Sequence, residues 1–368
     1  MKWFPYVRDG KSCDDPARDV RPAPPARLRV GLAIAAAALS GFRAFLWISG
    51  EPRSRDFDQV WYAARTLLAG RNPYAEIGPG LPFDWPAPLY YPLTAAVAVI
   101  PLAGLARSLA AVLFAALASG LFVWAATRRS IAPFVVITSA SAALAAETVQ
   151  WSPLLAAAYG LPWLGILLCA KPTIGFAVWL ARPSRIAVIG AVVLTAIGLA
   201  FSPMWPMDWL TALRHTSLAR EGGTPYFAPI GSFGGAFAAL AILRWRRPEA
   251  RLVLALACVP QTPLLYETVP LFLVPSSITE GGVLWLGSWL AALWYSSAGP
   301  FPNSFEQYKL SAEAIGWCMY FPAVVMLLRR PNAGSIPAGL ERIIRLLIPR
   351  PVPAPERSTS AERDVRID

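Results

Sequence analysis

Charge is scarce in this 368-residue chain: Asp, Glu, Lys and Arg make up 15% of it, against about a quarter in a soluble globular domain. With 56% hydrophobic residues and a mean hydropathy of +0.47, the chain is not an ordinary soluble enzyme. Disorder is excluded for its bulk, since so apolar a chain buries surface readily. Histidine is reduced to His215 and cysteine to Cys13, Cys169, Cys258 and Cys318, with no CxxC and no Cys/His cluster. No zinc or haem site and no disulfide scaffold is expected, and the cysteines read as small apolar packing groups. A glycine-rich phosphate loop after a strand is also missing, which argues against a soluble nucleotide-sugar site. The first 28 residues lack the apolar core of a signal peptide and read as a retained cytoplasmic tail.

What remains is a polytopic membrane protein. Charge-free windows run over 85–106, 108–127, 130–146, 148–170, 186–207, 222–243 and 281–305, with shorter ones at 252–266, 268–279 and 314–328. The first span, 29–50, is interrupted only by Arg43. A bilayer core needs about 20 apolar residues per helix, and in lipid only structures that satisfy their own backbone survive. The expectation is an all-α fold of about 8–10 transmembrane helices, some of them broken. It divides into an N-tail (1–28), a transmembrane domain (29–330, with a first extracytoplasmic loop at 51–88) and a C-tail (331–368). In that tail Leu340, Ile343, Ile344 and Leu347 recur at helical spacing, as in a short amphipathic surface helix.

The net charge of +11 sits in the tails and short loops, as topology control by cytoplasmic arginine demands, and not on a nucleic-acid face. Arg128–Arg129, Arg182 with Arg185, Arg244 with Arg246–Arg247, and Arg329–Arg330 mark the inside. Segments 51–84 and 203–226 are then outside. Keeping Arg128–Arg129 inside requires a single crossing between 85 and 127, with a re-entrant or interfacial stretch bracketed by Pro92 and Pro101.

The outside segment S-R-D-F-D-Q-V-W-Y-A-A-R-T-L-L-A-G-R-N-P-Y carries Phe57, Val60, Trp61, Ala64, Leu67 and Leu68 on one helical face, with Gly70 and Asn72-Pro73 as stop and turn. This predicts an amphipathic helix opened by Asp56, with Asp58 in its first turn. Helix capping alone accounts for both acids: Asp56 with Gln59 forms a capping box, and Asp58 suits the helix dipole.

The pattern D-F-x-x-x-Y-A-A-R-x-L-L-A-G-x-x-P-Y, then Tyr90-Tyr91-Pro92 and Pro101-Leu102, resembles the membrane glycosyltransferases of family 87, which are type C enzymes. Gln150 in T-V-Q-W-S-P-L-L is similar to the family's G-Q, and Lys171-Pro172 to its K-P step, in order and spacing over roughly 30–300. Three departures stand out: Val149 replaces the usual glycine, Leu93 replaces the second proline of Y-P-P, and the stretch from Gln150 to Lys171 is short.

The resemblance implies transfer of a hexose, mannose for instance, from a polyprenyl-phosphate donor to an extracytoplasmic glycan or glycolipid acceptor. The setting would be a bacterial-type plasma membrane, with membrane lipids as the other partners and no nucleic acid. Asp56 is the first choice for general base, and Asp58 the second or an orienting partner. Arg65, Lys171, Arg214 and His215 are candidates for the leaving phosphate, and Tyr74, Gln150 and Glu267 complete the substrate-binding set. Glu147 and Glu280 are further acids near the spans. Trp85 and Trp205 are candidates for sugar stacking or for the interfacial aromatic belt. No organic cofactor and no dedicated metal site is expected, with a divalent cation as the one optional ion. The alternative is a transporter or lipid flippase that makes no glycosidic bond. It would want polar residues along several helices, whereas the acids here gather near one surface.

Overall fold

A computed structural model describes residues 24–50, 56–128, 130–218, 228–299, 301 and 304–334. The C-tail helix, most of the N-tail and Arg129 lie outside the described residues. Apart from a two-residue parallel β pair, β1 (Ile77–Gly78) with β2 (Phe83–Asp84), regular structure in the described residues is helical. Three described helices are long and apolar enough to cross a bilayer: Ala26–Ser49, Arg107–Ala126 and Phe305–Leu328. Arg185–Phe201 with Trp205–Arg214 makes a fourth if that pair, bent by 98°, is one span. The described residues are therefore compatible with an all-α membrane protein.

Helix α1 (Ala26–Gly50) is followed by α2 (Asp56–Leu68), a loop carrying the β pair, the short α3 (Leu93–Val99) and α4 (Arg107–Ala126). α1 and α4 are antiparallel and packed through small residues: Gly41 meets Ala116, and Gly120 meets Ala37. Arg29 at the start of α1 stacks on Trp124 at 4.0 Å and donates to its carbonyl at 3.0 Å. A single long helix thus carries the chain from the α3 loop back to the end where α1 begins, and Arg128 lies beside Arg29 there.

That end is built from arginine. Arg128 donates to Gly160 O, Arg182 to Tyr159 O, and Arg244 to Leu328 O and Arg330 O. Arg251 donates to Leu180, Ala181, Trp245 and Arg246 carbonyls, and Arg330 to Val274 O. Helix C-termini leave four carbonyls without intrahelical donors and carry partial negative charge, so guanidinium groups are suited to cap them.

From this basic end three pairs of short segments run out and return. The first is the 3₁₀ helix Ala132–Thr138 with α5 (Ala140–Glu147), returning as α6 (Ser152–Ala157). The second is the 3₁₀ helix Pro162–Ala170, returning as α7 (Pro172–Ala181). Its ends are pinned together by Arg182, stacked on Tyr159 at 4.2 Å, and its legs touch at Gly175, where a Cβ would lie 1.8 Å from Leu168 O. The third is α11 (Pro248–Cys258), returning as the 3₁₀ helix Leu265–Leu273. At about 1.5 Å per α residue and 2.0 Å per 3₁₀ residue, each leg of the last two is roughly 15–18 Å long, half a bilayer.

Proline explains the breaks. Pro133, Pro153, Pro162, Pro172 and Pro248 each stand in the first turn of their segment, where no N–H is required. The charge-free window 148–170 is therefore one returning leg and one outgoing leg that meet near Gly160.

The rest of the bundle comprises α8 (Arg185–Phe201), α9 (Trp205–Leu218), α10 (Phe233–Ala236), α12 (Ile278–Ser297), α13 (Ser304–Ile315) and α14 (Phe321–Leu328), the last two joined by a π-helical turn at Gly316–Tyr320.

Candidate functional site

The tips of the three hairpins converge on the first residue of α2. Gln150, in the turn between α5 and α6, donates from Nε2 to Asp56 Oδ2 at 2.5 Å. Lys171, the tip of the second hairpin, donates from Nζ to Gln150 Oε1 at 3.1 Å and pairs with Glu267 Oε1 at 2.5 Å. Glu267 belongs to the first turn of the third hairpin's returning leg. Lysine can only donate, so it fixes which end of the amide faces it and thereby aims the amide nitrogen at the carboxylate.

The cluster is dry at one end and accessible at the other. Glu267 and Lys171 side chains are 3% and 14% exposed, while Asp56 is half-buried. Asp56 Oδ1 takes no hydrogen bond among the described residues, and neither does Glu267 Oε2, which is fully buried. Lys171 also sits 5.0 Å above the Tyr266 ring. Tyr266 is buried as well, with the carboxylates of Asp56 and Glu267 near enough to act on its phenol. Sequence reasoning did not single out Tyr266, although it adjoins Glu267 in L-L-Y-E-T-V-P.

The turn that presents Gln150 carries a backbone signature. Val149 has φ of +51°, a left-handed conformation that β-branched residues rarely adopt, and is wholly buried. This is the position at which the resemblance leads one to expect glycine, so the departure is in side chain and not in backbone geometry.

The other expected residues divide. Asp58 is wholly buried, and two residues along a helix its side chain leaves on the opposite side from that of Asp56. The N-terminal turn of α2 is buried on nearly all sides, through Phe57, Asp58, Gln59 and Val60, so α2 is embedded more deeply than a surface-lying helix. Arg65 points elsewhere: it donates to Ala103 O at 3.4 Å and lies over Trp61 at 5.0 Å. Tyr74 braces the loop, its phenol donating to Tyr91 O at 3.0 Å. Burial, with Asp208 nearby, pushes that phenol far above its ordinary range. Arg214 is an exposed residue of α9, and the side chain of His215 lies outside the described residues. Glu280 belongs to the basic end, paired with Arg330 at 2.5 Å. Trp85 and Trp205 are 7% and 5% exposed, leaving neither a free face on which to stack a sugar.

The loop is tied to the bundle by groups that sequence reasoning missed. Glu76 accepts from Arg71 at 2.6 Å, Tyr62 at 3.3 Å and Thr66 at 3.4 Å. Asn72 donates to Asp208 at 2.9 Å, and Trp209 to Tyr90 O at 2.9 Å, so α9 is clamped over the loop. Among the described residues no group of three or more His, Cys, Asp or Glu is arranged to hold a metal ion.

No protein-family model, curated protein or solved structure matches this chain. The geometry and the sequence pattern together are what bear on its function.

Proposed function

We propose that the chain is a polytopic membrane glycosyltransferase of the type C kind. It transfers a hexose, mannose by the resemblance, from a polyprenyl-phosphate donor to an extracytoplasmic glycan or glycolipid, with Asp56 as general base. The observation that carries this reading is the junction of Asp56, Gln150, Lys171 and Glu267. Each comes from a different segment of chain, and together they link a carboxylate, an amide, an ammonium and a second carboxylate in one chain of contacts. A charged cluster among apolar helices is costly unless it is paired and used, which supports function over structure alone.

In the step proposed, the acceptor hydroxyl gives its proton to Asp56 Oδ1 as its oxygen forms a bond to the anomeric carbon. The bond from that carbon to the phosphate oxygen breaks, and polyprenyl phosphate leaves with the electron pair, inverting the centre. A hydroxyl is a weak nucleophile until a placed base takes its proton, an effect of roughly 10²–10⁴-fold. Gln150 orients the base. Lys171 is held by Glu267 and Gln150, so it organises the acids in preference to meeting the phosphate. In this reading the arginine end is cytoplasmic, and the short hairpins enter the bilayer from that side and return to it.

A lipid flippase is the second reading, favoured by one observation: half-length broken helices with ionisable tips also occur where transporters bind cargo. Purified protein given polyprenyl-phosphate mannose and an alkyl mannoside acceptor separates the two. Transfer that falls at least 100-fold in Asp56→Asn at unchanged thermal stability is expected. Labelled lipid moved across a vesicle with no glycosidic product would select the flippase.

A further inference from the structure

The proposed reaction needs a cation where the leaving phosphate departs, and two of the expected cations are committed elsewhere: Lys171 to Glu267 and Gln150, Arg65 to Ala103 O and Trp61. Arg43, the one charge in the interior of the first span, is not committed in this way. Its guanidinium, half-buried, donates no hydrogen bond among the described residues.

Arg43 lies on α1 about 26 Å from Ala26 at 1.5 Å per residue, near the end opposite the arginine cluster. The buried stripe of α1 there is Ala36, Ser40 and Ala44, while Phe42 and Leu46 are 56% and 52% exposed. On a helical wheel Arg43 falls on the flank of the buried stripe, where the bundle meets the surface that would face lipid. Across from it is Glu147, the last residue of α5, close enough for the two charges to attract. Glu147 is half-buried and accepts no hydrogen bond among the described residues. Three residues on from Glu147 is Gln150, which holds Asp56.

A guanidinium has five donors in a planar fork suited to phosphate, and one beside a carboxylate keeps donors to spare. We propose that Arg43 is the phosphate-binding residue of the lipid donor, met as the donor slides in laterally from the bilayer. This rests on the transferase reading for the identity of the lipid. The chemistry recognised is a phosphate on an apolar chain, which a polyprenyl phosphate and a phospholipid headgroup both offer.

The test is binding, independent of turnover. The full chain in phosphatidylcholine nanodiscs is titrated with farnesyl phosphate and with farnesol, and dioleoyl phosphatidic acid is used as competitor. Wild type is expected to bind farnesyl phosphate at least tenfold tighter than farnesol and to keep it in the presence of phosphatidic acid. Arg43→Gln should abolish the preference for the phosphate, Arg43→Lys should keep part of it, and Glu147→Gln should leave it intact or raise it. The lysine variant decides the matter if the glutamine variant does not fold: farnesyl phosphate binding by R43K equal to wild type overturns the proposal, since a point charge cannot replace a fork. Unchanged binding by R43Q, no wild-type preference for phosphate, or displacement by phosphatidic acid at equal concentration also overturns it. Sugar transfer is scored separately. Transfer by wild type with R43Q binding normally removes the Arg43 assignment alone. Arg43-dependent binding without transfer keeps Arg43 and removes the transferase.

Discussion

Removing the ammonium from the hairpin tip should damage the protein more than removing any exposed cation. In Lys171→Met, Glu267 would keep a carboxylate that is 3% exposed and lose its one partner among the described residues, at 2.5 Å. Breaking a buried pair from one side costs about 3–5 kcal/mol, because the remaining charge is stranded. The exposed pair Lys309–Glu306, at 3.9 Å with side chains 60% and 47% exposed, sets the contrast; such pairs contribute about 0–1 kcal/mol. At roughly 2–4 °C per kcal/mol for a large domain, Lys171→Met should lower the melting temperature by about 6–20 °C and Lys309→Gln by a few degrees at most.

The double variant Lys171→Met/Glu267→Met should recover most of the loss, since a buried ion pair replaced by apolar groups of similar size is often neutral. Tryptophan fluorescence during heating of the detergent-solubilised protein measures wild type, Lys171→Met, Glu267→Met, the double variant and Lys309→Gln. A Lys171→Met variant no less stable than Lys309→Gln, or a double variant as unstable as the two single losses combined, would refute the reasoning that the tips form a buried, mutually dependent charge pair.

Two further outcomes follow from local geometry. Val149 in the left-handed region stores about 1–2 kcal/mol of strain. Val149→Gly relieves that strain while giving up the side chain's burial, whereas Val149→Ala gives up two methyl groups and keeps the strain. The glycine variant should therefore melt at or above the alanine variant, the reverse of the order in a helix interior; an alanine variant that melts higher counts against a left-handed residue 149. Tyr74 gives an alkaline signature. Its phenol is held neutral in the fold by burial, far above the ordinary value of about 10 at which the unfolded chain ionises. Its contribution to stability is complete below that pH and declines above it. At neutral pH Tyr74→Phe loses one hydrogen bond, about 1 kcal/mol; melting curves from pH 8 to 11.5 should show the gap to wild type closing above pH 10, and a constant gap would contradict the assignment.

The helical class and the loop helix were legible because composition and apolar spacing act locally. The windows of charge-free sequence were less informative about spans. A run such as 148–170 is apolar whether it crosses once or turns back on itself at Gly160. What decides between these is proline at the first turn of each leg and glycine where legs touch, as at Gly175. Asp56, Gln150, Lys171 and Glu267 were recognisable as chemistry-bearing residues, but their mutual contacts depend on how three hairpins pack, and no spacing rule encodes that. Arg65 misled because an arginine on a loop helix reads the same in sequence whether it faces a site or a neighbouring carbonyl. Arg43 stood out as the one charge in the interior of its span, but its place beside Glu147 required the packing of α1 on α5.

The placement of the four site residues follows from the cost of irregular backbone. A hairpin tip exposes N–H and C=O groups that no helix satisfies, and in a lipid environment these must be buried in protein or line a polar cavity. Bringing three tips together lets each shelter the others. The polar side chains at the tips then satisfy one another, lysine to glutamate, lysine to amide, amide to aspartate. The same arrangement leaves one carboxylate oxygen of Asp56 without a hydrogen bond among the described residues. Asp56→Asn keeps an oxygen to accept from Gln150 and alters the open position, so it should leave the tips as stable as in wild type while cutting transfer. Loss of activity together with loss of stability in that variant would mean that the open oxygen is not what the site holds in reserve.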